Sequence, residues 1–487
     1  MRQRDFSSGT WIAIVTVLYA AEVCATEFYQ IFPTGQLPNP RGGHSVVYDA
    51  QHNRMILFGG SDEYGNPYHD VWVLSDANGI GSPAWTELHP TGTPPLGGYG
   101  QSAVYDSTDN RLIAFAANPA AYSGIDNSVY VLTNANGLGG TPEWVWLQPV
   151  GSPPAPRRYL NTLLVYDSDS NRLLVFGGLT GSGPANDLWA LTHANGLGGT
   201  PEWLELLSAG ALGSPPPRPS GGCVLDSQGN AMTLFGGGWA YGFFNDLWQL
   251  SGANGVSGTP TWSPIITSTP PSIRADFLLG LDPLGSNLVL FGGVVGDGSA
   301  WGTAYFNDLW ILSHADGSGG TPEWTQLDVA GSAPVPRDTR GFYDPTSDRV
   351  VFFGGQAFRY GVFMIFNDTW IISEATGVPR DTTPPSIADA VATPSQLWPP
   401  NHKMRDVVVS GVVWDAIDPA PTFRIVGVSS NEGSSADWDV TGDLTLQLRA
   451  ERSGSGSGRI YTIVLEAKDV SGNAARTTVA VTVPHNQ

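Results

Sequence analysis

Short apolar runs separated by polar turns make up most of the first 380 residues. In the first unit the runs fall at 46–49, 54–59, 71–74 and 84–89 and are rich in Val, Ile, Leu, Phe and Trp. Clusters of Gly, Pro, Asn, Asp and Ser stand between them. That composition predicts strands joined by turns. No stretch has helical length and period. The pattern therefore predicts four short strands per unit and an all-β chain.

The unit repeats. Its marker is a glycine doublet after phenylalanine: Phe58-Gly59-Gly60, Phe176-Gly177-Gly178, Phe235-Gly236-Gly237, Phe291-Gly292-Gly293 and Phe353-Gly354-Gly355, with Phe115-Ala116-Ala117 as a variant copy. Successive copies lie 56 to 62 residues apart. Each carries Asp or Asn shortly before an aromatic: Asp70/Trp72, Asn127/Tyr130, Asp187/Trp189, Asp246/Trp248, Asp308/Trp310 and Asp368/Trp370. A second tryptophan follows at Trp85, Trp144, Trp203, Trp262 and Trp324. Four-stranded units of this length, repeated radially, predict a β-propeller. Glycine, lacking Cβ, lets backbone approach backbone at the doublet. The paired aromatics are expected to pack between neighbouring blades.

On these motifs the region 26–380 resembles the kelch-repeat propellers of the broad galactose-oxidase-like superfamily. The sixth copy ends near Pro379 without a fourth strand, whereas the segment 28–35 aligns with 85–92. An unpaired sheet edge is an aggregation hazard. The N-terminal strand is therefore expected to complete blade six beside the Trp370 strand. Residues 381–386 read as a proline-containing linker. In 387–487, strands are expected at 407–414, 422–429, 444–451, 461–468 and 477–483, a small β-sandwich. The string Asp469-Val470-Ser471-Gly472-Asn473 and the segment Leu397-Trp398-Pro399-Pro400-Asn401-His402-Lys403 resemble parts of bacterial immunoglobulin-like modules. The expected fold is thus a six-bladed kelch-type β-propeller closed by an N-terminal strand, followed by an immunoglobulin-like β-sandwich.

Composition adds a compartment. Residues 1–25 read as a secretory signal peptide, with Arg2 and Arg4 ahead of an apolar core at 11–21 and Val23-Cys24-Ala25 before the cleavage point. The apolar core falls short of the roughly 20 residues that a membrane span needs. The expectation is a secreted or cell-surface protein with no span in the mature chain. Removing Cys24 leaves Cys223 as the one thiol, read as a small buried hydrophobe. A net charge of −21 argues against a nucleic-acid partner.

Candidate chemistry is sparse. Arg41, Arg157, Arg218, Arg274 and Arg337 each precede a first strand. They are expected either to converge at one channel mouth and grip carboxylates or phosphates bidentately, or to pair with neighbouring acids. The loops between second and third strands carry Trp239, Tyr241, Trp301, Tyr305 and Tyr360, besides Phe243, Phe244, Phe306 and Phe363. Such aromatics suit a sugar or protein partner, or form a lid. The turn 167–171 begins like a calcium loop, but its counterparts in other units share only hairpin chemistry. The histidines are scattered, with no ligand spacing. No catalytic residue, metal or cofactor is expected, and the superfamily's copper-oxidase chemistry is not carried over. The expectation is a monomeric, non-enzymatic binder of an extracellular protein or glycan. The alternative is an exported sugar mutarotase or lyase with its site at the channel mouth.

Overall fold

The computed structural model describes residues 25–487 except 97–100, 117–124, 160–162, 240–241, 284–285, 297–303, 317–319, 379–382, 416–417, 419, 434, 455–457, 470–472 and 486–487. The expected signal segment lies, apart from Ala25, outside the described residues. The chain divides into two compact units, 1–379 and 380–487.

Among the described residues, the first unit contains six sheets built on one plan. In the first sheet Ser45–Asp49, Arg54–Phe58, Val71–Ser75 and Ala84–Leu88 run antiparallel in that order. The turn between the first two strands is set by its ends. Asp49 Oδ1 accepts the Gln51 N–H, and Asn53 takes the left-handed conformation at φ 51°. Met55, Ile56, Leu57 and Phe58 are all buried, so the second strand is covered on both faces and reads as a continuous apolar run.

Aromatic pairs join the sheets. In four sheets the phenylalanine at the doublet position receives the second tryptophan of the following sheet: Phe58 with Trp144 at 5.0 Å, Phe115 with Trp203 at 5.5 Å, Phe176 with Trp262 at 5.0 Å, and Phe235 with Trp324 at 5.1 Å. Phe353 of the sixth sheet meets Trp85 of the first at 5.1 Å. The rings are tilted or edge-on, the arrangement that their quadrupoles favour.

The N-terminal strand, Glu27–Ile31, pairs antiparallel with Val362–Ser373 in the sixth sheet, with Gln30 opposite Trp370. Phe28 meets Phe291 at 5.8 Å, the place that tryptophan takes in the other sheets. The first strand of each sheet adjoins the first strands of its neighbours, and that of the first sheet adjoins that of the sixth.

A polar joint repeats at the far ends of these strands. The side-chain amide of Asn136 donates to Asp49 Oδ2 at 2.7 Å, Asn195 to Asp106 at 2.7 Å, Asn254 to Asp167 at 2.8 Å and Asn78 to Asp344 at 3.0 Å. In each case the asparagine belongs to the turn after the third strand of one sheet, and the aspartate ends the first strand of the sheet before. An arginine beside the aspartate completes the joint. Arg54, Arg111, Arg172 and Arg349 donate to the backbone carbonyls of Asn136, Asn195, Asn254 and Asn78 at 3.1, 2.9, 2.6 and 2.7 Å.

The fourth, fifth and sixth sheets differ from the others in length. Their middle strands, Ala231–Trp239 with Gly242–Ser251, Asn287–Val295 with Ala304–Ser313, and Arg349–Arg359 with Val362–Ser373, run on past the glycine doublet as hairpins. The register shifts at the doublet in all three. Gly355 has φ 97°, and a Cβ there would overlap the Asp338 carbonyl oxygen. In the variant copy, Ala116 keeps the left-handed conformation at φ 53°.

The second unit is also all-β. Ser386–Thr393, Met404–Trp414, Thr445–Arg449 and Trp438–Gly442 form one sheet, and Thr422–Ser430, Gly458–Lys468 and Ala474–Pro484 the other. Val407, Leu448, Tyr461, Ile463 and Val481 lie in its buried core. Ser386–Thr393 and Trp438–Gly442 were not among the strands expected from sequence. Both are sheet edges with mostly exposed or half-exposed side chains, so neither carries a strong apolar pattern.

Candidate binding face

The five arginines sit at the roots of the loops that join second and third strands, and the structure corrects one expectation about them. All five side chains are buried. Arg157 donates to both carboxylate oxygens of Asp187, at 2.9 and 2.8 Å, and to the Gly177 and Ala155 carbonyls. Arg41, Arg218, Arg274 and Arg337 make the same bidentate pair with Asp70, Asp246, Asp308 and Asp368. Each also donates to the carbonyl of the first glycine in its own doublet. A guanidinium with its donors occupied in this way does not offer a fork to a ligand. Of the two expected roles, pairing with a neighbouring acid is the observed one.

The motif tryptophan finishes each clamp, and a loop aromatic covers four of the five. The Nε1–H groups of Trp72, Trp189, Trp248, Trp310 and Trp370 donate to those same aspartates, each at 2.7 Å. Tyr68, Phe244, Phe306 and Phe366 lie over Arg41, Arg218, Arg274 and Arg337 at 3.6 to 4.4 Å. Burial alone would raise the carboxyl pKa of Asp70, Asp187 and Asp246. The arginine hydrogen bonds and charge, with the tryptophan N–H, hold it below the ordinary range instead.

The loop aromatics divide. Tyr360 is 95% exposed at the tip of the sixth-sheet hairpin, where Val362 is also exposed. Tyr64 projects from the corresponding loop of the first sheet, 82% exposed. Tyr305 is half-buried in the fifth-sheet hairpin opposite Val294. Tyr241 and Trp301 lie outside the described residues, as does the side chain of Trp239.

A polar cluster that sequence reasoning did not assemble lies beside these roots. Arg340 donates to Asp338 Oδ1 at 2.6 Å and to Asp276 Oδ1 at 3.3 Å, and Gln356 donates to Asp338 Oδ2 at 3.2 Å. Burial, reinforced by the Asp276 charge, raises the Asp338 carboxyl pKa despite Arg340. His44 is buried with its ring 5.8 Å from that of Phe353. Burial, with the charges of Arg41 and Arg340, pushes its pKa well below the ordinary value, so the imidazole is neutral at neutral pH. The only signal available in the sequence was the position of Asp276, Asp338 and Arg340, one to three residues after a clamp arginine.

The repeats, the doublet bends and the repeated clamps are those of a kelch-repeat β-propeller, and the sequence comparisons agree. Residues 199–378 match the model of the KLHDC2/KLHL20/DRC7 Kelch-repeats domain. The chain is 31% identical over 303 residues to human "Host cell factor 1", covering 58% of this chain and 13% of that protein. It is 29% identical over 246 residues to the Drosophila melanogaster "Leucine-zipper-like transcriptional regulator 1 homolog", covering 48% and 22%. The mouse "Rab9 effector protein with kelch motifs" is 27% identical over 227 residues, covering 45% and 53%. The chain thus spans well under two thirds of the length of these curated relatives. Among solved structures, "Structure of YjhT" overlays with a TM-score of 0.47 at 14% identity, covering 68% of this chain and 95% of that one.

Proposed function

We propose that this chain is a secreted or surface-associated binding protein that presents one face of its propeller to an extracellular protein or glycan. The observation that carries the reading is the set of three extended hairpins on consecutive sheets, tipped in the sixth by exposed Tyr360 and Val362. Exposed aromatic and apolar groups on a rigid support are what a recognition surface needs. The buried clamps supply the support. The test is capture from a glycan array and an extracellular protein library by residues 26–487. Binding that survives in the parent and falls at least tenfold in Tyr360→Ala supports the reading. Equal binding by both proteins, or none by either, removes it.

The finer architecture belongs to the same proposal. The first unit is a closed ring of six blades, supported by the Glu27–Ile31 pairing and by the Trp85–Phe353 contact between first and last sheets. The second unit is an immunoglobulin-like module serving as spacer or attachment, supported by its sheets of four and three strands around one core. Export agrees with Thr26, which is buried and whose hydroxyl donates to the Glu374 carbonyl at 2.8 Å. A mature chain beginning at Thr26 keeps that bond, and N-terminal sequencing of the exported protein reads it directly.

A sugar mutarotase or lyase is the second reading. It is favoured by Asp338, a carboxyl with a raised pKa held by Arg340 near neutral His44. Turnover of a sugar that is lost in both Asp338→Asn and Arg340→Gln would establish it over the binding reading.

A further inference from the structure

We infer that residues 208–214 form a strap poised to close on the outer edge of the fourth sheet. Four sister straps define what closing means. Thr34-Gly35, Thr91-Gly92, Val150-Gly151 and Ala330-Gly331 each stand six and seven residues after the outer-strand aromatic of one sheet, and each lies parallel to the outer strand of the next. The first residue of the strap donates its N–H to the carbonyl two positions before the next aromatic: Thr34 to Pro83, Thr91 to Pro142 and Val150 to Pro201 at 2.9 Å, and Ala330 to Thr26 at 2.8 Å. Trp85 and Trp203 donate back to Thr34 and Val150 at 2.9 and 3.1 Å. The second residue has φ between 80° and 88°, and a Cβ on it would crowd the backbone oxygen of Trp85, Trp144, Trp203 or Phe28. Only glycine suits that place.

Between the third and fourth sheets the same strap is present but turned away. Ala209-Gly210 stands six and seven residues after Trp203. Gly210 has φ 76°, close to its sisters, yet a Cβ on it would meet open space. Its N–H goes to Asn186 Oδ1 at 2.9 Å, which ties the strap back to the third sheet. The connection from Gly210 to Arg218 is eight residues long, against six from Gly35 to Arg41, Gly151 to Arg157 and Gly331 to Arg337. The extra length folds into a turn in which Ala211 donates to Ser208, Ser214 donates to Ala211, and Leu212 is fully exposed. The fifth sheet shows a different loss. Ser268-Thr269 has the spacing but no glycine, and Thr269 reaches the Trp324 carbonyl through its hydroxyl at 3.4 Å.

The edge that this strap would cover is ready for it. Trp262 stands opposite Leu250, as Trp85 stands opposite Leu74 and Trp203 opposite Leu191, so its amide faces outward as theirs do. Pro264, the next outward position of Thr261–Ile265, has no N–H. Among the described residues, no backbone bond joins 208–214 to Pro260 or Trp262, and the fourth sheet has no fifth strand. Closing gives up the Asn186 bond and forms two, from Ala209 to the Pro260 carbonyl and from Trp262 to the Ala209 carbonyl. It also covers an edge that otherwise invites an added strand. The inference stands on the straps alone and does not rest on the binding reading above.

Residue-resolved amide hydrogen exchange tests the strap. In the parent, the Trp262 amide is expected to exchange at least tenfold faster than those of Trp85 and Trp203, which are bonded to their straps. Asn186→Leu releases Gly210, the strap closes and Trp262 slows at least tenfold. Adding Gly210→Ala reverses that slowing, because a closed strap leaves no room for a Cβ. Asn186 also donates to the Pro215 carbonyl at 2.9 Å, and Asn245 makes the same bond to Pro271 at 2.9 Å. Asn245→Leu therefore removes the shared bond without the tie and should leave Trp262 unchanged. The inference is overturned by a parent Trp262 as slow as Trp85 and Trp203, by no slowing in Asn186→Leu, by equal slowing in Asn245→Leu, or by slowing that survives Gly210→Ala. Should Asn186→Leu fail to fold, deletion of Leu212 and Gly213 restores the six-residue connection and carries the same expectation and the same reversal.

Discussion

Asn78 donates its side-chain amide to Asp344 at 3.0 Å across 266 residues of sequence. One residue is in the first sheet and the other in the sixth. The backbone carbonyl of Asn78 in turn accepts from Arg349, which lies beside Asp344 in that sheet. One short polar residue thus ties the beginning of the propeller to its end.

Asn78→Ala is expected to destabilise the first unit. Loss of the amide leaves a buried carboxylate oxygen with fewer donors, which costs about 1–3 kcal/mol. The check is the urea midpoint at unchanged slope. Removing residues 26–31 is expected to do more, because it also bares the edge of Val362–Ser373. Light scattering of the truncated chain reads the resulting association.

Breaking one clamp is expected to cost more than removing it whole. Arg157→Met strands the Asp187 carboxylate, and loss of one member of a buried pair costs about 3–5 kcal/mol. The double variant Arg157→Met/Asp187→Leu should recover most of that loss. Equal destabilisation of the single and double variants would mean that the stranded carboxylate is not what the single variant suffers from.

Acid should loosen the clamps. The carboxyls of Asp70, Asp187 and Asp246 titrate below their ordinary range in the folded chain. Their contribution is therefore complete above the unfolded value, about 3.9, and is lost as pH falls through the folded values. Asp338 has the opposite sign. Its folded pKa is raised, so its contribution is complete below the unfolded value and lost as pH rises through the folded one. Tm measured against pH should flatten toward neutral pH in Asp338→Asn while the acid limb remains.

Gly355→Ala and Gly361→Ala separate overlap from backbone preference. Both glycines have positive φ, at 97° and 78°. A Cβ at Gly361 meets open space, whereas at Gly355 it meets the Asp338 carbonyl. Strained left-handed residues cost about 1–3 kcal/mol. The Gly355 variant is expected at or above the top of that range and the Gly361 variant near its foot, read from denaturant midpoints.

Cys223 should be inert in the folded protein. It is buried, and burial pushes its thiol well above the ordinary range. A thiol reagent at pH 8 is expected to leave it unmodified until denaturant is added.

Much of the fold was legible because the signals are local. A strand buried on both faces must be apolar throughout, which Met55–Phe58 shows without reference to any partner. Phe28 could be matched to Trp85 by alignment alone, and it lies against Phe291 as the tryptophans lie against their phenylalanines. The two edge strands of the second unit were missed because an exposed edge places few demands on its side chains. The role of the arginines was open in the sequence because an unpaired and a paired guanidinium are spelled alike.

The sequence by itself determined the repeat, its period, the strands within each copy and the residues that punctuate them, since these rest on side-chain burial and turn chemistry within about a dozen positions. Only the tertiary structure decided where each charge is spent. It joined Arg157 to Asp187, 30 residues away, and gathered Asp276, Asp338 and Arg340 from two sheets. The physical reason is that hydrogen-bond satisfaction belongs to a pair of groups, and the pairs are made by packing one repeat against the next.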